Sequence, residues 1–230
     1  MLLFRKQEKP NHLPGLLPFV RNHIKTLCKS GKINHKIVSE ILEYINKDRL
    51  LKQNNDDIVN GIINRTILRH EYVNNISWAL ISKEVIDTIP SFVMDNTILE
   101  VGSGYGLWAA LLKLIGVKII PTDLILEEDK VWCDIEKISA KKAVKKYDKC
   151  NCLMLCWPHF MNTVASDSIQ GFKGNKIIYV GEGMGGCTAD KKFFNIIEMD
   201  WFEVNRIKIP QWSYVHDELI FYCRKKNKKT

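Results

Sequence analysis

The sequence predicts an α/β domain with a mostly parallel seven-stranded sheet, preceded by a helical extension. From residue 97 onward, short apolar strand patterns alternate with helix patterns, and such alternation favours crossover connections between parallel strands. The last two strand patterns have no helix between them, so they predict a terminal hairpin and an antiparallel last strand. With 46% hydrophobic residues in 230, the chain can form a sizeable core, which excludes wholesale disorder.

The first ninety residues are predicted to be mostly helical. Residues 1–15 contain two prolines and mixed charges and are expected to be a loose leader. Apolar residues at helical spacing then predict helices over Phe19–Leu51 with a break at Ser30-Gly31, over Ile58–Leu68, and over Ile76–Ile89, closed by Pro90. We therefore divide the chain into a helical extension (1–90), an α/β domain (91–224) and a basic tail (225–230).

The α/β domain has the following predicted elements. Strands are expected at Ile98–Val101, Val117–Pro121 (closing on Thr122-Asp123), Val131–Ile138, Cys152–Trp157, Lys176–Val180, Phe202–Ile209 and Glu218–Cys223. Helices are expected at Leu107–Ile115, Ala140–Tyr147 and Ala189–Met199.

Several classes of protein are disfavoured by composition. No apolar run approaches the roughly 18–20 residues of a spanning helix, and the opening Met-Leu-Leu-Phe is too short for a signal peptide, so no membrane association is predicted. Seven cysteines, an odd number in strand-like runs, indicate reduced thiols in the cytoplasm. They lack the Cys-x2-Cys spacing of a zinc site, and no metal is predicted.

The net charge of +8 is concentrated at the C-terminus. Five cations lie within residues 224–230, and without them the charge falls to +3. The cations are 27 Lys and only 7 Arg, and Arg is the residue that pairs with bases bidentately. The basic tail therefore predicts at most a weak nucleic-acid contact.

The segment from Ile98 to Trp108 is the strongest functional signal. A strand ends in Gly102-Ser103-Gly104-Tyr105-Gly106 and opens a helix, an arrangement that brings backbone N–H groups close to a ligand. The sixth position is Leu107 rather than glycine, so this is not the dinucleotide fingerprint. Asp123 ends the next strand, where its carboxylate can accept both hydroxyls of a ribose.

Together with Glu100, this loop resembles motif I of class I S-adenosylmethionine-dependent methyltransferases. The chain is similar to an uncharacterised branch of that superfamily, met in microbes and large DNA viruses, in four segments: Ser77-Trp78-Ala79-Leu80-Ile81-Ser82-Lys83-Glu84, Gly102–Ala109, Trp157-Pro158-His159-Phe160 and Tyr179–Asp190. The resemblance covers roughly Ser77 to Arg224. It implies a Rossmann-like fold and S-adenosyl-L-methionine as cofactor, but not which acceptor is methylated.

The resemblance also implies a set of cofactor-binding residues. They are Glu100, Gly102, Ser103, Gly104, Tyr105, Asp123, Ser139 and Cys156. Ser139 occupies the slot in which most relatives have an acid that meets the adenine amine. It can accept a hydrogen bond as a neutral group, but it can equally be only the N-cap of the next helix, and Asp134 or Glu136 could replace it.

The fourth strand is expected to end at the acceptor. Amino-methylating relatives have a polar residue where this chain has Trp157, and an indole is only a donor, which disfavours methylation of an adenine amine. His159 can be a general base or a structural residue, and Trp157 with Phe160 can form an aromatic wall for a planar or cationic acceptor or simply pack. Trp78, before motif I, is expected either in the core or beside the cofactor.

The segment Gly181–Thr188 follows the fifth strand and is rich in glycine. It predicts a movable lid in which Glu182 faces the acceptor, or a turn with Glu182 paired at the surface. Thr188 is expected to cap the following helix. The predicted catalytic residues are thus His159, Glu182 and Trp157.

The function predicted from the sequence is methyl transfer from S-adenosylmethionine to an unidentified acceptor, which can be a small molecule, a protein or a nucleic acid. Two alternatives remain. One is a nucleic-acid-binding or nucleic-acid-modifying protein, and the other is a catalytically inactive scaffold, which the tryptophan in the polar slot suggests.

Overall fold

The structure is a computed structural model in which residues 17–51 and 68–226 are described. The predicted leader, all but the last residue of the predicted helix Ile58–Leu68, and the tail beyond residue 226 lie outside the described residues. Among the residues described, no helix combines the length and the apolar character needed to cross a membrane.

Seven strands form one sheet in the order β3-β2-β1-β4-β5-β7-β6. Only β7 is antiparallel to its neighbours, β5 and β6. The strands are β1 (Ile98–Val101), β2 (Ile119–Asp123), β3 (Glu136–Lys137), β4 (Cys152–Cys156), β5 (Lys176–Gly181), β6 (Trp201–Lys208) and β7 (Glu218–Arg224). The predicted fold class is confirmed: a Rossmann-like, mostly parallel sheet that closes with a hairpin.

Helices cover both faces of this sheet. They are α1 (Leu17–Ser30), α2 (His35–Leu51), α3 (residues 68–75), α4 (Lys83–Val93), α5 (Leu107–Leu114), α6 (Ala140–Lys146), α7 (Val164–Gly171) and α8 (Lys191–Asp200). Alternate strand residues point to opposite faces, so Ile98 and Met154 pack with α1, α2, α4 and α5, while Leu99 and Leu153 pack with α6, α7 and α8. The central strands β1, β4 and β5 are therefore buried on both sides, as expected for parallel strands.

The helix predicted to end at Pro90 is placed differently. It begins at Lys83, where Ser82 Oγ accepts the Val85 N–H, and continues past Pro90 to Val93. Pro90 removes one backbone donor, but Ile89 and Val93 are fully buried, and their packing continues the helix through the last turn.

Two further elements differ from the prediction. The third strand is only Glu136–Lys137, because the buried Trp132 bonds elsewhere: its backbone N–H donates to Tyr105 O and its indole N–H to Ile76 O. Helix α7 was not predicted, since its eight residues include two Ser, an Asp and a Gly and show little apolar periodicity.

The helical extension packs on the face of the sheet that α5 covers. In the structure α1 and α2 pack against α5, and α2 also contacts α4. Within the described part of the extension, the residues that border the cavity described below are Asn74, Ile76, Ser77 and Trp78.

Candidate functional site

A cavity of about 710 Å³ opens at the carboxyl ends of the central strands. It extends over the ends of β1, β2 and β4 and the start of α6. Strand order reverses between β1 and β4, and in open α/β sheets ligands bind at such a switch point. Nine of the residues predicted for the site line this cavity: Gly102, Ser103, Gly104, Tyr105, Asp123, Ser139, Cys156, Trp157 and His159.

The glycine loop after β1 leaves space at its centre. Gly102, Gly104 and Gly106 all have positive φ (72°, 56° and 73°), a conformation that other residues rarely adopt. A Cβ added at Gly104 would meet no atom within 4 Å, whereas one at Gly106 would lie 2.9 Å from Ile135. Gly106 is thus required by packing, and Gly104 borders open space.

Asp123 joins the end of β2 to this loop. One carboxylate oxygen accepts the Gly104 N–H at 2.8 Å and the other accepts the Ile125 N–H at 3.0 Å. Each oxygen has a second lone pair, so the group can still accept ligand hydroxyls. The carboxylate therefore fixes the glycine loop and remains part of the cavity wall.

Glu100 is placed beneath the cavity rather than in its wall. The residue is 1% exposed, and one carboxylate oxygen, Oε2, has no hydrogen-bond partner among the residues that the structure describes. Burial, together with the nearby Asp123 charge, raises the pKa of Glu100 to about 8. The carboxyl group is therefore mostly protonated at neutral pH.

Ser139 occupies the N-cap position of α6, but its side chain makes no capping hydrogen bond. The residue lines the cavity, so its hydroxyl is available there. The two acids considered in its place bond elsewhere: Asp134 pairs with Lys29 at 3.5 Å, and Glu136 pairs with Lys146 at 2.7 Å. Neither acid lines the cavity.

Tyr105 and Cys156 complete the predicted cofactor set. The Tyr105 hydroxyl donates to Glu127 Oε1 at 3.1 Å, and the Lys130 ammonium lies 5.5 Å from the centre of the ring. Burial raises the pKa of Cys156 well above its usual value, so its thiol stays neutral.

Trp157 is held firmly at the end of β4. Its indole Nε1 donates to Asp217 Oδ1 at 2.7 Å, and its ring stacks on Trp78 with centroids 5.0 Å apart and planes 17° apart. The Arg69 guanidinium lies 5.8 Å from the centre of the same ring. The backbone φ of Trp157 is +52°, a strained value for a bulky residue.

His159 lines the cavity and is exposed, as is the adjacent Phe160, which stacks on it. Its Nδ1 accepts the Met161 N–H at 3.1 Å. In the neutral ring the proton therefore resides on Nε2, which makes Nε2 a donor. This geometry does not favour the predicted role of general base.

Glu182 does not line the cavity, in contrast to the predicted acceptor-facing position. Its Oε2 accepts the Cys187 N–H at 2.7 Å, and its Oε1 accepts the His216 N–H at 2.8 Å. Burial alone would raise the pKa of Glu182, but these two donors and the nearby His216 bring it below its usual value. The Glu182 carboxylate therefore stabilises the loop to which it belongs, through its hydrogen bonds with the backbone.

Thr188 belongs to the same loop and does not cap α8. Its hydroxyl oxygen accepts the Glu182 N–H at 2.8 Å, and the N-cap residue of α8 is Asp190. The prediction that Thr188 is a cap is wrong, because the hydroxyl bonds back to the strand that precedes the loop.

Two residues of the site were missed or left open by the sequence. Trp78 is outside any helix, 44% exposed, and lines the cavity. Asp217, 1% exposed, fixes Trp157 from the start of the terminal hairpin strand. Sequence alone could have suggested Trp78 through its motif, but sixty residues separate Asp217 from its partner.

Comparisons with known proteins find solved structures that are similar to this chain in fold. A protein of the NADB-Rossmann superfamily from Streptococcus agalactiae is 12% identical, with 66% of this chain and 72% of that chain covered and a TM-score of 0.46. Magnesium protoporphyrin IX methyltransferase from Synechocystis PCC 6803, solved with bound SAM, is 10% identical, with 83% and 97% covered and a TM-score of 0.48.

A third similar structure is TrmN from Thermus thermophilus, 8% identical over 69% of this chain and 53% of that chain, with a TM-score of 0.46. Neither the comparison with protein families nor the comparison with curated proteins gives a match. At these identities the similarities concern the fold, and the roles of individual residues rest on the geometry described above.

Proposed function

We propose that this protein is a methyltransferase that uses S-adenosyl-L-methionine. The observation that carries the proposal is the cavity itself, which joins the glycine loop after β1, the carboxylate that ends β2 and the hydroxyl of Ser139. The glycine loop provides a backbone surface that a ligand can approach closely, and the carboxylate and the hydroxyl provide two hydrogen-bond acceptors. An adenosine requires these features.

The cavity wall has features that fit such a cofactor. Gly104 borders open space, so a ligand can approach its backbone closely. Ser103 Oγ is buried and has no partner in the structure. The Asp123 carboxylate keeps lone pairs for the two ribose hydroxyls, and Ser139 can accept from the adenine amine.

The cofactor, when bound, supplies an activated methyl group on a sulfonium. The protein residues then have to hold the acceptor near that methyl, at about 3–3.5 Å, because positioning provides much of the acceleration. Trp157 and His159 border the same cavity from the end of β4, so we assign the acceptor to that side.

Calorimetric titration with S-adenosylhomocysteine, the expected product, tests the proposal. We expect a single site, and Asp123→Asn should weaken binding about ten-fold, since a charge-assisted hydrogen bond is worth about 1.5–3 kcal/mol. Asp148→Asn is the matched control, because Asp148 is exposed and pairs with Lys173 outside the cavity.

Absence of heat at high micromolar ligand would count against the proposal. Binding without methyl transfer to any fraction of a cell extract would favour the inactive scaffold instead. The predicted contact between the basic tail and nucleic acid remains a separate prediction, and deletion of residues 225–230 with salt-dependent RNA-binding measurements tests it.

A further inference from the structure

The acceptor side of the cavity has an aromatic wall made of two stacked rings. Trp78 is 44% exposed and lines the cavity, and Trp157 is its backing ring. Trp157 cannot rotate freely, because its indole N–H is bonded to the buried Asp217. The wall therefore presents a fixed apolar face with a negative quadrupole.

The same side has little capacity to take up a proton. His159 Nδ1 accepts a backbone N–H, so its neutral ring offers Nε2 as a donor. Both oxygens of Glu182 accept backbone N–H groups, and the residue does not line the cavity. The Cys156 thiol stays protonated.

The buried Asp217 does not line the cavity, and its Oδ1 accepts the Trp157 indole N–H. Burial raises the pKa of Asp217 to about 6, so it is largely ionised at neutral pH and contributes negative charge behind the indole. Arg69 lies against Trp157 and partly balances that charge.

The described carboxylates that line the rest of the cavity have donors too. Asp123 accepts two backbone N–H groups. Glu127 accepts from Tyr105 and pairs with Lys130, and Asp167 accepts from Thr163 and pairs with Lys141. In each of these carboxylates, both oxygens therefore already have a donor or a cation beside them.

We propose that the acceptor is a planar heteroaromatic ring that stacks on Trp78 and is methylated at an unprotonated, pyridine-type ring nitrogen. This inference rests on the proposed function. The ring nitrogen lone pair forms the N–CH3 bond while the bond from the methyl to the sulfonium sulfur breaks, and that electron pair stays on sulfur. Charge moves from sulfur to the ring, no proton leaves, and no general base is needed.

The aromatic wall suits this reaction in two ways. A flat ring stacks on the Trp78 face, and the positive charge that develops on it is attracted to the π-system of the indoles. Amines, hydroxyls and thiols must lose a proton during or after methylation, whereas His159 Nδ1 and both carboxylate oxygens of Glu182 already accept backbone N–H groups.

The test uses the protein saturated with S-adenosylhomocysteine and two probes of the same shape. N-methylquinolinium is a planar cation that mimics the methylated product, and 1-methylnaphthalene is its neutral counterpart. We expect the cation to bind about five-fold more tightly or better, measured by tryptophan fluorescence and calorimetry. Tetramethylammonium, a cation without a ring, should bind weakly.

Substitutions of Trp78 test whether this residue causes the preference for the planar cation. Trp78→Ala should abolish the preference for the planar cation and Trp78→Phe should retain part of it, with S-adenosylhomocysteine affinity unchanged in both. Phe202→Ala is the matched control, since Phe202 is an equally exposed aromatic residue (47%) on β6 that does not line the cavity.

Several outcomes would overturn the inference alone. Three of them concern the probes: equal affinity for the two ring probes, binding of neither ring probe, or binding of tetramethylammonium as tight as that of the planar cation. The fourth is a change in the affinity ratio of S-adenosylmethionine to S-adenosylhomocysteine in Trp78→Ala, which would place the indole at the sulfonium. Failure of the wild-type protein to bind S-adenosylhomocysteine would instead overturn the proposed function.

The ring can belong to a free heterocycle or to a base of a polynucleotide, and methyl transfer separates these sources. Radiolabelled S-adenosylmethionine is incubated with the protein and either a small-molecule extract or total RNA and DNA. After digestion to monomers, label in a heterocycle methylated at a ring nitrogen supports the inference and identifies the source. Label on an exocyclic amine, a hydroxyl group or a protein side chain, or in no pool, contradicts it.

Discussion

Two glycine-rich loops follow parallel strands of the same sheet, and Gly104 in the first has different surroundings from Gly181 and Gly186 in the second. In the loop after β1, a Cβ at Gly104 would meet nothing within 4 Å, so this glycine borders open space in the cavity. In the loop after β5, a Cβ at Gly181 would lie 2.7 Å from Thr188, and one at Gly186 would lie 2.4 Å from Glu182. Those glycines make room for the chain itself.

A buried glutamate is associated with each loop, Glu100 in β1 just before the first and Glu182 within the second, and the two carboxyl groups have opposite electrostatic environments. Glu100 is buried with an unpartnered oxygen, and its pKa is raised to about 8. Glu182 accepts two backbone N–H groups, and its pKa is lowered despite burial. The comparison teaches that a Glu among glycines is not by itself a site, because the donors around it decide its charge and its role.

The largest expected effect is on ligand binding at the first loop. Gly104→Ala places a methyl group in the cavity, and we expect S-adenosylhomocysteine affinity to fall about 100-fold, which corresponds to about 2.7 kcal/mol. Calorimetry measures it. Gly31→Ala is the matched control, because Gly31 has a similar positive φ (65°) and open space around it, but lies outside the cavity.

If Gly104→Ala and Gly31→Ala bind S-adenosylhomocysteine equally well, then the ligand does not contact Gly104. The first loop would then resemble the second in having no role in ligand binding. A loss of thermal stability common to both variants reports only backbone strain, about 1 kcal/mol in each.

A smaller effect, on stability, is expected at the second loop. Gly186→Ala brings a Cβ against Glu182, and overpacking of this kind costs about 1–3 kcal/mol. Gly183→Ala in the same loop meets no atom within 4 Å and should cost far less. Urea denaturation measures both. Equal stability of the two variants would mean that the loop is an open lid after all.

The sequence predicted the first loop better than the second for a physical reason. The role of Asp123 depends on a strand next to β1, and alternating elements predict that neighbour directly. Of the ten predicted site residues other than Glu182, nine line the cavity. Glu100 is the exception. It lies two residues after Ile98 on β1, so the two side chains point to the same face of the sheet, and Glu100 is buried there.

The second loop depends on contacts that no local pattern reveals. Glu182 bonds to His216, and Trp157 bonds to Asp217, and both partners precede β7 in the terminal hairpin. The hairpin itself was predicted, but its register against β5 was not, and that register brings residues 216 and 217 to the end of β4. Burial of Asp217 then follows from tertiary packing alone.

Glu182→Gln sharpens the contrast between the two carboxyl groups. The amide offers one acceptor where two N–H groups need one each, so we expect a loss of about 2 kcal/mol at pH 7, in the range for hydrogen bonds to charged groups. Because the folded-state pKa of Glu182 is lowered, its contribution is present above pH ~4 and lost in more acid solution. Denaturation at several pH values should therefore show wild type and variant converging at low pH, and a constant difference would contradict this.

Glu100→Gln should show the opposite pH dependence. The folded-state pKa of about 8 lies above the usual value of the unfolded chain, so the folded state binds an extra proton between about pH 4.3 and 8. Wild-type stability then falls as pH rises through this window, by at most about 1.4 kcal/mol per pH unit. Glutamine is neutral at every pH, and the variant should lose this slope, so that it gains on the wild type from pH 6 to 8. Parallel stability curves for the two proteins would show that Glu100 is charged in the folded state and has a donor that the structure does not reveal.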